Sequence, residues 1–231
     1  MFGSYIATIA VRWPAGERAR GRSRCDGCGR QLVPAELLPI LSWVAVRGRC
    51  RTCRQPIALV HPACELLGLA VGVSAGWIAP GLDGAAGAVM GWLLLALAAT
   101  DLAALWLPDR LNAALALAGL AAGAIGLWPP LASRAIGGVA GFLLLWLVRH
   151  GYRLLRGREG LGGGDPKLFG AIGLWLGWQN LPMVLLMACC LGLGVSAGLR
   201  LGGRPIRADT RLPMGVFLAG AAYAVWLVSM R

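Results

Sequence analysis

The residue best placed to do chemistry in this chain is an aspartate inside an apolar segment. Asp101 follows the apolar run 93–99 and Thr100, and leucine and alanine continue after it. An ionised carboxylate in a membrane-spanning segment costs at least a few kcal/mol, so an acid in this position is a candidate for function. The alternative is a structural carboxyl group that is hydrogen-bonded to a neighbouring helix or paired with an arginine.

A second aspartate ends a run of three glycines. Asp165 follows Gly162, Gly163 and Gly164, and Pro166 comes directly after it. Aspartate is a preferred N-cap and proline a preferred first helical residue, so helix capping alone would account for this pair. The glycines add something that capping does not require, because they leave room for another backbone to approach the carboxylate closely.

These two acids are suited to peptide hydrolysis if the fold brings them together. Two carboxyl groups in a low-dielectric site do not both ionise easily, so one activates water while the other protonates the leaving amine. The sequence does not assign which of the two is the general base and which the general acid, because a coupled pair titrates as a unit. The sequence contains no H-E-x-x-H or Walker motif, and its histidines, His61 and His150, lie at the ends of apolar segments.

Glu65 is a further acid in an apolar segment, about one turn from its start. We expect a supporting role for it, such as pairing with an arginine of the polar stretch that precedes the segment. Asp109 follows Pro108 and has the ordinary interpretation of a helix cap.

Four cysteines have the spacing of a metal site. Cys25 and Cys28 form one C-x-x-C pair, and Cys50 and Cys53 form another. Two such turns present four thiolates, which predicts one tetrahedral zinc ion per chain. A site with four cysteine ligands leaves no open coordination position, so this zinc would be structural. Free or redox-active thiols are the alternative.

The elements that must position these residues are membrane helices. The chain is 58% hydrophobic and only 14% charged, whereas soluble domains carry about 25% charged residues. We predict an all-α polytopic membrane protein with about eight transmembrane helices and a small cytoplasmic zinc-binding insert. The predicted apolar segments are 2–13, 62–79, 85–106, 110–127, 134–151, 166–179, 182–200 and 213–230.

The distribution of apolar and polar residues along the chain predicts three regions. Residues 1–13 form a first membrane helix, residues 14–61 a cytoplasmic insert that we call the cysteine insert, and residues 62–231 the helical membrane domain. The segment 2–13 is shorter than the ~20 residues that a span needs, so we expect a tilted helix or a start upstream of Met1. The segment 166–179 is also short and rich in glycine, which favours a broken or shallow helix.

The basic residues lie in alternate connections rather than on one face. They concentrate in 12–54, 149–167 and 200–211, while the intervening connections carry almost none. This is the positive-inside pattern, and it predicts that the basic connections face the cytoplasm. It places Asp101 and Asp165 toward the same, cytoplasmic side. The net charge of +12 then reflects topology and anionic lipid headgroups, and we expect no nucleic-acid partner.

Taken in order, these motifs resemble the bacterial type IV prepilin peptidases. The similar stretches run from about Gly3 to Leu227 and share a fixed order along the chain. They are Gly3-Ser4-Tyr5 with Arg12-Trp13-Pro14, Arg22-Ser23-Arg24-Cys25 with Cys28-Gly29, Pro39 with Ser42-Trp43, Arg47-Gly48-Arg49-Cys50, Pro62 with Glu65-Leu66-Leu67, Asp101 with Pro108-Asp109, Gly160 to Leu168, and Leu212-Pro213-Met214-Gly215. The stretch Gly162-x-Gly164-Asp165 is similar to the G-x-G-D signature of intramembrane aspartyl proteases.

The resemblance implies an aspartic endopeptidase that removes basic leader peptides from prepilins or pseudopilins at the cytoplasmic face of the inner membrane. It implies Asp101 and Asp165 as the catalytic pair, with Gly162, Gly164, Lys167 and Glu65 as supporting residues. Glu159 and Asp109 would lie nearby without a catalytic role. Many members of the family also N-methylate the new terminus with S-adenosylmethionine, and the sequence leaves that activity open.

The chain departs from the family pattern at a few positions. Ala103 and Ala104 stand where D-x-D-H usually continues, Gly163 and Pro166 replace other residue types, and Ala7 replaces an asparagine. Both predicted catalytic acids are intact, so the departures bear on substrate preference and on methylation.

Two other classes of protein would also explain parts of the sequence. A proton-coupled transporter would place Asp101 in a cavity at the middle of the membrane, with broken helices and often internal repeats. A non-enzymatic assembly scaffold would use the zinc knuckle to bind a partner and would tolerate loss of either aspartate.

Overall fold

The computed structural model describes residues 2–16, 23–25, 27–38, 40–203 and 212–230. Several residues of the sequence analysis lie outside these ranges, namely Arg22, Pro39 and most of the basic connection 200–211. The described part of the chain is all-helical, as predicted, and contains no strand beyond two isolated bridges in the cysteine insert.

Each of the eight predicted apolar segments contains one helix. Together with a short helix in the cysteine insert, α2 (Leu41–Ala45), the helices of the described residues are α1 (Phe2–Arg12), α3 (Val60–Ile78), α4 (Leu82–Ala104), α5 (Asp109–Ala124), α6 (Leu131–Arg156), α7 (Asp165–Leu176), α8 (Leu181–Leu201) and α9 (Met214–Ser229). The predicted boundaries are therefore close to the observed ones.

The expected count of about eight spans is not confirmed. Among the described residues, three stretches are long and apolar enough to cross a membrane, namely Leu82–Ala104, Leu131–Arg156 and Trp178–Leu201. Met214–Ser229 is apolar but shorter. Helix α7 has 12 residues and would rise only about 18 Å, against a hydrocarbon core of about 30 Å.

Helix α7 is short because it is an interior element. Nearly all of its side chains are buried, including Leu168, Phe169 and Ile172, which have no exposed surface. It ends at Gly177, which has a positive φ of 72°, and a single 3₁₀ turn then leads into α8. For 166–179 the sequence favoured a broken or shallow helix, and the structure has a helix that ends at Leu176, a single 3₁₀ turn and the start of α8.

Glycines let α6 and α7 pack in close contact. A methyl group at Gly141 would lie 2.9 Å from the carbonyl oxygen of Phe169, and one at Gly170 would lie 3.0 Å from that of Gly138. Small residues of this kind allow membrane helices to approach through their backbones. On the other side of α7, the indole N–H of Trp175 donates to the carbonyl oxygen of Leu115 on α5 at 2.7 Å.

A buried arginine joins α5, α6 and α7. Arg134, on α6, is only 2% exposed. Its guanidinium donates to carbonyl oxygens in α5, in the connection that follows it and in the last turn of α7, namely those of Gly119, Leu127, Trp128, Pro129 and Leu174. Four of these five carbonyls lie in the connection or at the end of α7, where the helices supply no donor, so this arginine, an exception to the positive-inside pattern, has a structural role.

Candidate active site and cysteine cluster

Asp101 lies in the last turn of α4 and is 5% exposed. Its carboxylate accepts a hydrogen bond from the backbone N–H of Val216 at 3.2 Å, and the N–H of Gly215 is also directed at it. Both donors belong to the first turn of α9, where backbone N–H groups have no partner within the helix. The start of α9 therefore forms an N–H pocket for this carboxylate.

Asp165 is the first residue of α7 and is also 5% exposed. Its Oδ2 accepts a hydrogen bond from the backbone N–H of Gly162 at 2.9 Å. The carboxylate thus folds back over the glycine run instead of pointing to solvent. Arg149 lies beside Gly163, so a cation also borders this side of the site.

The fold brings the two predicted catalytic acids together. The carboxyl groups of Asp101 and Asp165 are close enough for their charges to interact. Leu107 packs against both segments that hold the acids, because methyl groups at Gly164, before Asp165, and at Gly215, beside Asp101, would lie 2.7 and 2.9 Å from its side chain. A buried pair of acids at the junction of α4, α7 and α9 is the arrangement that acid–base cleavage of an amide needs.

The glycines before Asp165 differ in what they permit. A methyl group at Gly162 would lie 2.8 Å from Oδ2 of Asp165, and one at Gly164 would meet Leu107. At Gly163 the nearest atom is 3.5 Å away, which is ordinary contact. The glycines at 162 and 164 therefore make room for the carboxylate itself and for the Leu107 side chain, and not for an approaching backbone as the sequence suggested.

The other charged residues that the resemblance placed at or near the site, Lys167, Glu159 and Glu65, each have a polar partner of their own. Lys167 pairs with Asp109 at 2.6 Å, an exposed contact that joins the starts of α7 and α5. Glu159 pairs with Arg149 at 3.0 Å. Glu65 is on α3, and its carboxylate accepts the backbone N–H of Ile40 at 2.7 Å, so it anchors the cysteine insert.

The four cysteines of the insert form one cluster, as their spacing predicts. All four sulfurs lie within 4.8 Å of one another, and those of Cys25 and Cys53 are 3.8 Å apart. Sulfurs at the corners of a tetrahedron with bonds of about 2.3 Å are separated by about 3.8 Å, so this group fits a metal ion with four thiolate ligands.

Two equivalent turns build the cluster. The carbonyl oxygen of Cys25 accepts the N–H of Gly29 at 2.9 Å, and that of Cys50 accepts the N–H of Arg54 at 3.0 Å. Gly29 and Arg54 both have positive φ, 70° and 61°. Backbone N–H groups of Cys53 and Thr52 hold the pKa of the Cys50 thiol at about 6, below its usual value, which favours the thiolate that a metal requires.

Sequence reasoning missed three features of these sites. Gly215 ends the Leu212–Gly215 motif and Val216 follows it, but nothing in that motif indicates that their N–H groups meet Asp101. Leu107 precedes Pro108 in a short turn, and the sequence gives no sign that it packs beside the acid pair. Glu36 lies in a polar stretch of the sequence, which is typical of a solvated acid, although its side chain is only 7% exposed and pairs with Arg30 at 2.7 Å. The Arg30 hydrogen bond holds the pKa of this carboxyl below its usual value.

These features define an integral membrane protein of packed helices with a buried pair of acids and a four-cysteine cluster. The chain belongs to the type IV leader peptidase family. The model of that family matches residues 88–197, and the model of the bacterial peptidase A24 N-terminal domain matches residues 1–78. The first match contains both aspartates and the second contains all four clustered cysteines.

Several relatives share most of this chain. Proteins named prepilin leader peptidase/N-methyltransferase from Aeromonas hydrophila and Burkholderia pseudomallei strain 1026b are 39% and 43% identical to it. The matches cover 89% and 88% of this chain and 71% and 66% of the relatives. The protein of the same name from Klebsiella pneumoniae is 40% identical over 81% of this chain and 86% of its own length. No solved structure matches the chain.

Proposed function

We propose that this protein is an aspartic endopeptidase that removes basic leader peptides from type IV prepilins or pseudopilins. The observation that carries the proposal is the pair of buried carboxyl groups, Asp101 and Asp165, which come from two different helices. The names of the relatives support the substrate class, since each is called a prepilin leader peptidase.

In the proposed reaction the two acids work as one unit. One carboxylate takes a proton from water, and the water oxygen attacks the carbonyl carbon of the scissile bond. The other, protonated carboxyl gives its proton to the leaving amine as the C–N bond breaks. The N–H groups of Gly215 and Val216 fix Asp101, and the N–H of Gly162 fixes Asp165, so both acids are oriented before substrate binds.

The site would lie at the cytoplasmic face of the inner membrane. The positive-inside pattern supports this orientation, because Asp165 follows the basic connection 149–167, and the start of α9, which binds Asp101, follows the basic connection 200–211. The apolar helix of a prepilin would then lie in the bilayer while its basic leader stays in the cytoplasm. About eight crossings of the membrane, with tilted or short helices for α1 and α7, would satisfy the same charge pattern.

The cysteine cluster would hold one structural zinc ion. Cys25, Cys28, Cys50 and Cys53 would supply its ligands, and the two C-x-x-C turns would lose their mutual support without it. We further propose that the protein N-methylates the new terminus with S-adenosylmethionine, as the second half of the relatives' names suggests.

A cleavage assay tests the peptidase. Purified protein in lipid nanodiscs would be incubated with a prepilin that carries a basic leader, and mass spectrometry would follow the loss of the leader. We expect cleavage by the wild type and none by Asp165→Asn. Asp109→Asn is the matched control, because Asp109 is an exposed acid at the same end of the bundle, and this variant should cleave normally.

The same assay separates the proposal from its rivals. A scaffold or a transporter predicts no cleavage by any of these proteins. Cleavage by Asp165→Asn at the wild-type rate would show that the buried pair is not the catalyst. Zinc content and thermal stability of each variant would show that loss of activity is not loss of folding.

A further inference from the structure

We propose that Asn112 binds the backbone of the substrate beside the scissile bond, an inference that rests on the peptidase part of the proposed function. Asn112 lies about one turn into α5 and is only 4% exposed. Neither its Oδ1 nor its Nδ2 has a hydrogen-bond partner in the described part of the chain. No other described side chain leaves both a buried donor and a buried acceptor without a partner.

An unpartnered carboxamide in this position lowers the stability of the fold. A buried polar group without a hydrogen bond has lost its water and gained nothing in exchange, and such groups are rare in folded proteins. An apolar residue of similar size, such as valine, would fill the same space without that loss. The amide of Asn112 therefore points to a partner that the folded chain does not itself supply.

Asn112 lies on the side of α5 that faces α7. Leu115 and Gly119 follow it at intervals of three and four residues, so the three residues share one face of the helix. That face meets Trp175 of α7, because a methyl group at Gly119 would lie 2.9 Å from its indole ring. Helix α5 also packs against α4. It therefore contacts both of the helices that carry the catalytic acids.

Asn112 also lies at the depth of the acid pair. Asp101 is three residues before the end of α4, and Asn112 is three residues after the start of α5. Because a short connection joins these two helices, each residue lies about 4.5 Å from the same end of the helix pair. Helix α7 starts at that end too, since Lys167 pairs with Asp109. Side chains tilt toward the N-terminus of their helix, which directs the Asn112 amide toward Asp165, the first residue of α7.

A carboxamide matches the needs of a peptide that is being cleaved. The segment around the scissile bond must be extended for water to reach its carbonyl carbon, and an extended segment leaves backbone N–H and C=O groups without partners. The Nδ2 of Asn112 would donate to one such carbonyl oxygen, and its Oδ1 would accept from one such N–H. The acids would then act on the water and on the leaving amine while Asn112 holds the peptide in place.

Two substitutions of nearly equal shape test the inference in the prepilin cleavage assay. Asn112→Val removes both polar groups, so we expect kcat/KM to fall about thirtyfold because substrate backbone groups lose their partners in a buried site. The midpoint of thermal unfolding should stay the same or rise. Asn112→Thr keeps a donor and an acceptor and should cleave at least about fivefold faster than Asn112→Val. A purely structural amide predicts the reverse pattern, with a lower unfolding midpoint and an unchanged kcat/KM.

The outcomes separate this inference from the proposed function. If the wild type cleaves prepilin and folded Asn112→Val cleaves it equally well, the inference is wrong and the peptidase stands. Equal rates for the valine and threonine variants would also overturn it. Asn112→Ala, which cannot overpack the site, replaces the valine variant in these comparisons if the latter does not fold. If the wild type does not cleave prepilin, the proposed function fails and the inference fails with it.

Discussion

Replacing Gly215 by alanine should separate catalysis from stability. In the folded protein a methyl group at this position would lie 2.9 Å from Oδ2 of Asp101, 3.1 Å from its Cγ and 2.9 Å from Leu107. A methyl group normally stays about 3.4 Å or more from such an atom, so the Asp101 carboxylate should move away from it by about half an ångström. A misplacement of ~1 Å in a catalytic group costs about a hundredfold in rate, so we expect a loss of roughly tenfold or more.

Stability should change much less than activity. Overpacking costs about 1–3 kcal/mol, but alanine is favoured over glycine inside a helix by about 0.5–1 kcal/mol, and Gly215 lies within α9. The net loss should therefore stay near 0–2 kcal/mol.

The assay compares prepilin cleavage with thermal unfolding in the same nanodisc preparation. The matched control is Gly220→Ala, on the same helix, where an added methyl group has no atom within 4 Å. This variant should cleave at the wild-type rate. Wild-type cleavage by a folded Gly215→Ala protein would refute the claim that the start of α9 fixes the Asp101 carboxylate.

Four further outcomes are expected. Gly162→Ala and Gly164→Ala should lower the rate of prepilin cleavage at least tenfold, whereas Gly163→Ala should not. The reason is that an added methyl group lies within 3 Å of another atom only at the first two of these positions. Equal cleavage rates for all three variants would contradict this. Arg134→Met should destabilise the protein by about 3 kcal/mol, since several buried carbonyls would lose their donor, and an unchanged midpoint of thermal unfolding would show that water replaces the guanidinium. Purified protein should carry one zinc ion per chain, and a chelator that removes it should lower the midpoint of thermal unfolding because the two C-x-x-C turns lose their shared metal; an unchanged midpoint for metal-free protein would contradict a structural role. The pKa of the Glu36 carboxyl is below its ordinary 4.5 in the folded protein, so its contribution to the free energy of unfolding is present above pH 4.5 and is lost as the pH falls toward the lower folded value. The difference in unfolding midpoint between wild type and Glu36→Gln should therefore shrink as the pH falls from 6 to 4. A constant difference would argue against the pair with Arg30.

The apolar patterning of the sequence predicted the helices well. Each predicted apolar segment contains a helix because long apolar runs without polar interruption admit no other structure in a bilayer. The number of spans did not follow, because the length of a segment does not say whether it crosses the membrane alone or is buried by neighbours. Helix α7 illustrates this limit, since its 12 residues are enclosed by α5, α6 and α9.

The candidate site was predicted in part. Asp101 and Asp165 could be chosen from their surroundings, and the cysteine cluster from its spacing, because both signals are local in sequence. The partners of the acids could not, because Val216 lies 115 positions from the Asp101 carboxylate that it contacts. A cavity of about 360 Å³ in the cysteine insert could not be predicted either, since its lining comes from α1, the insert and α3, and no single motif records how those segments fold together.

The central claim is that Asp101 and Asp165 act as one catalytic unit, and the rates of three variants test it most directly. Prepilin cleavage would be measured for Asp101→Asn, Asp165→Asn and the double variant, each shown to be folded and zinc-loaded. The account predicts that each single change lowers the rate by roughly a thousandfold or more and that the double change lowers it no further. A single variant that keeps a rate within tenfold of the wild type, or a double variant whose loss is the product of the two, would contradict it.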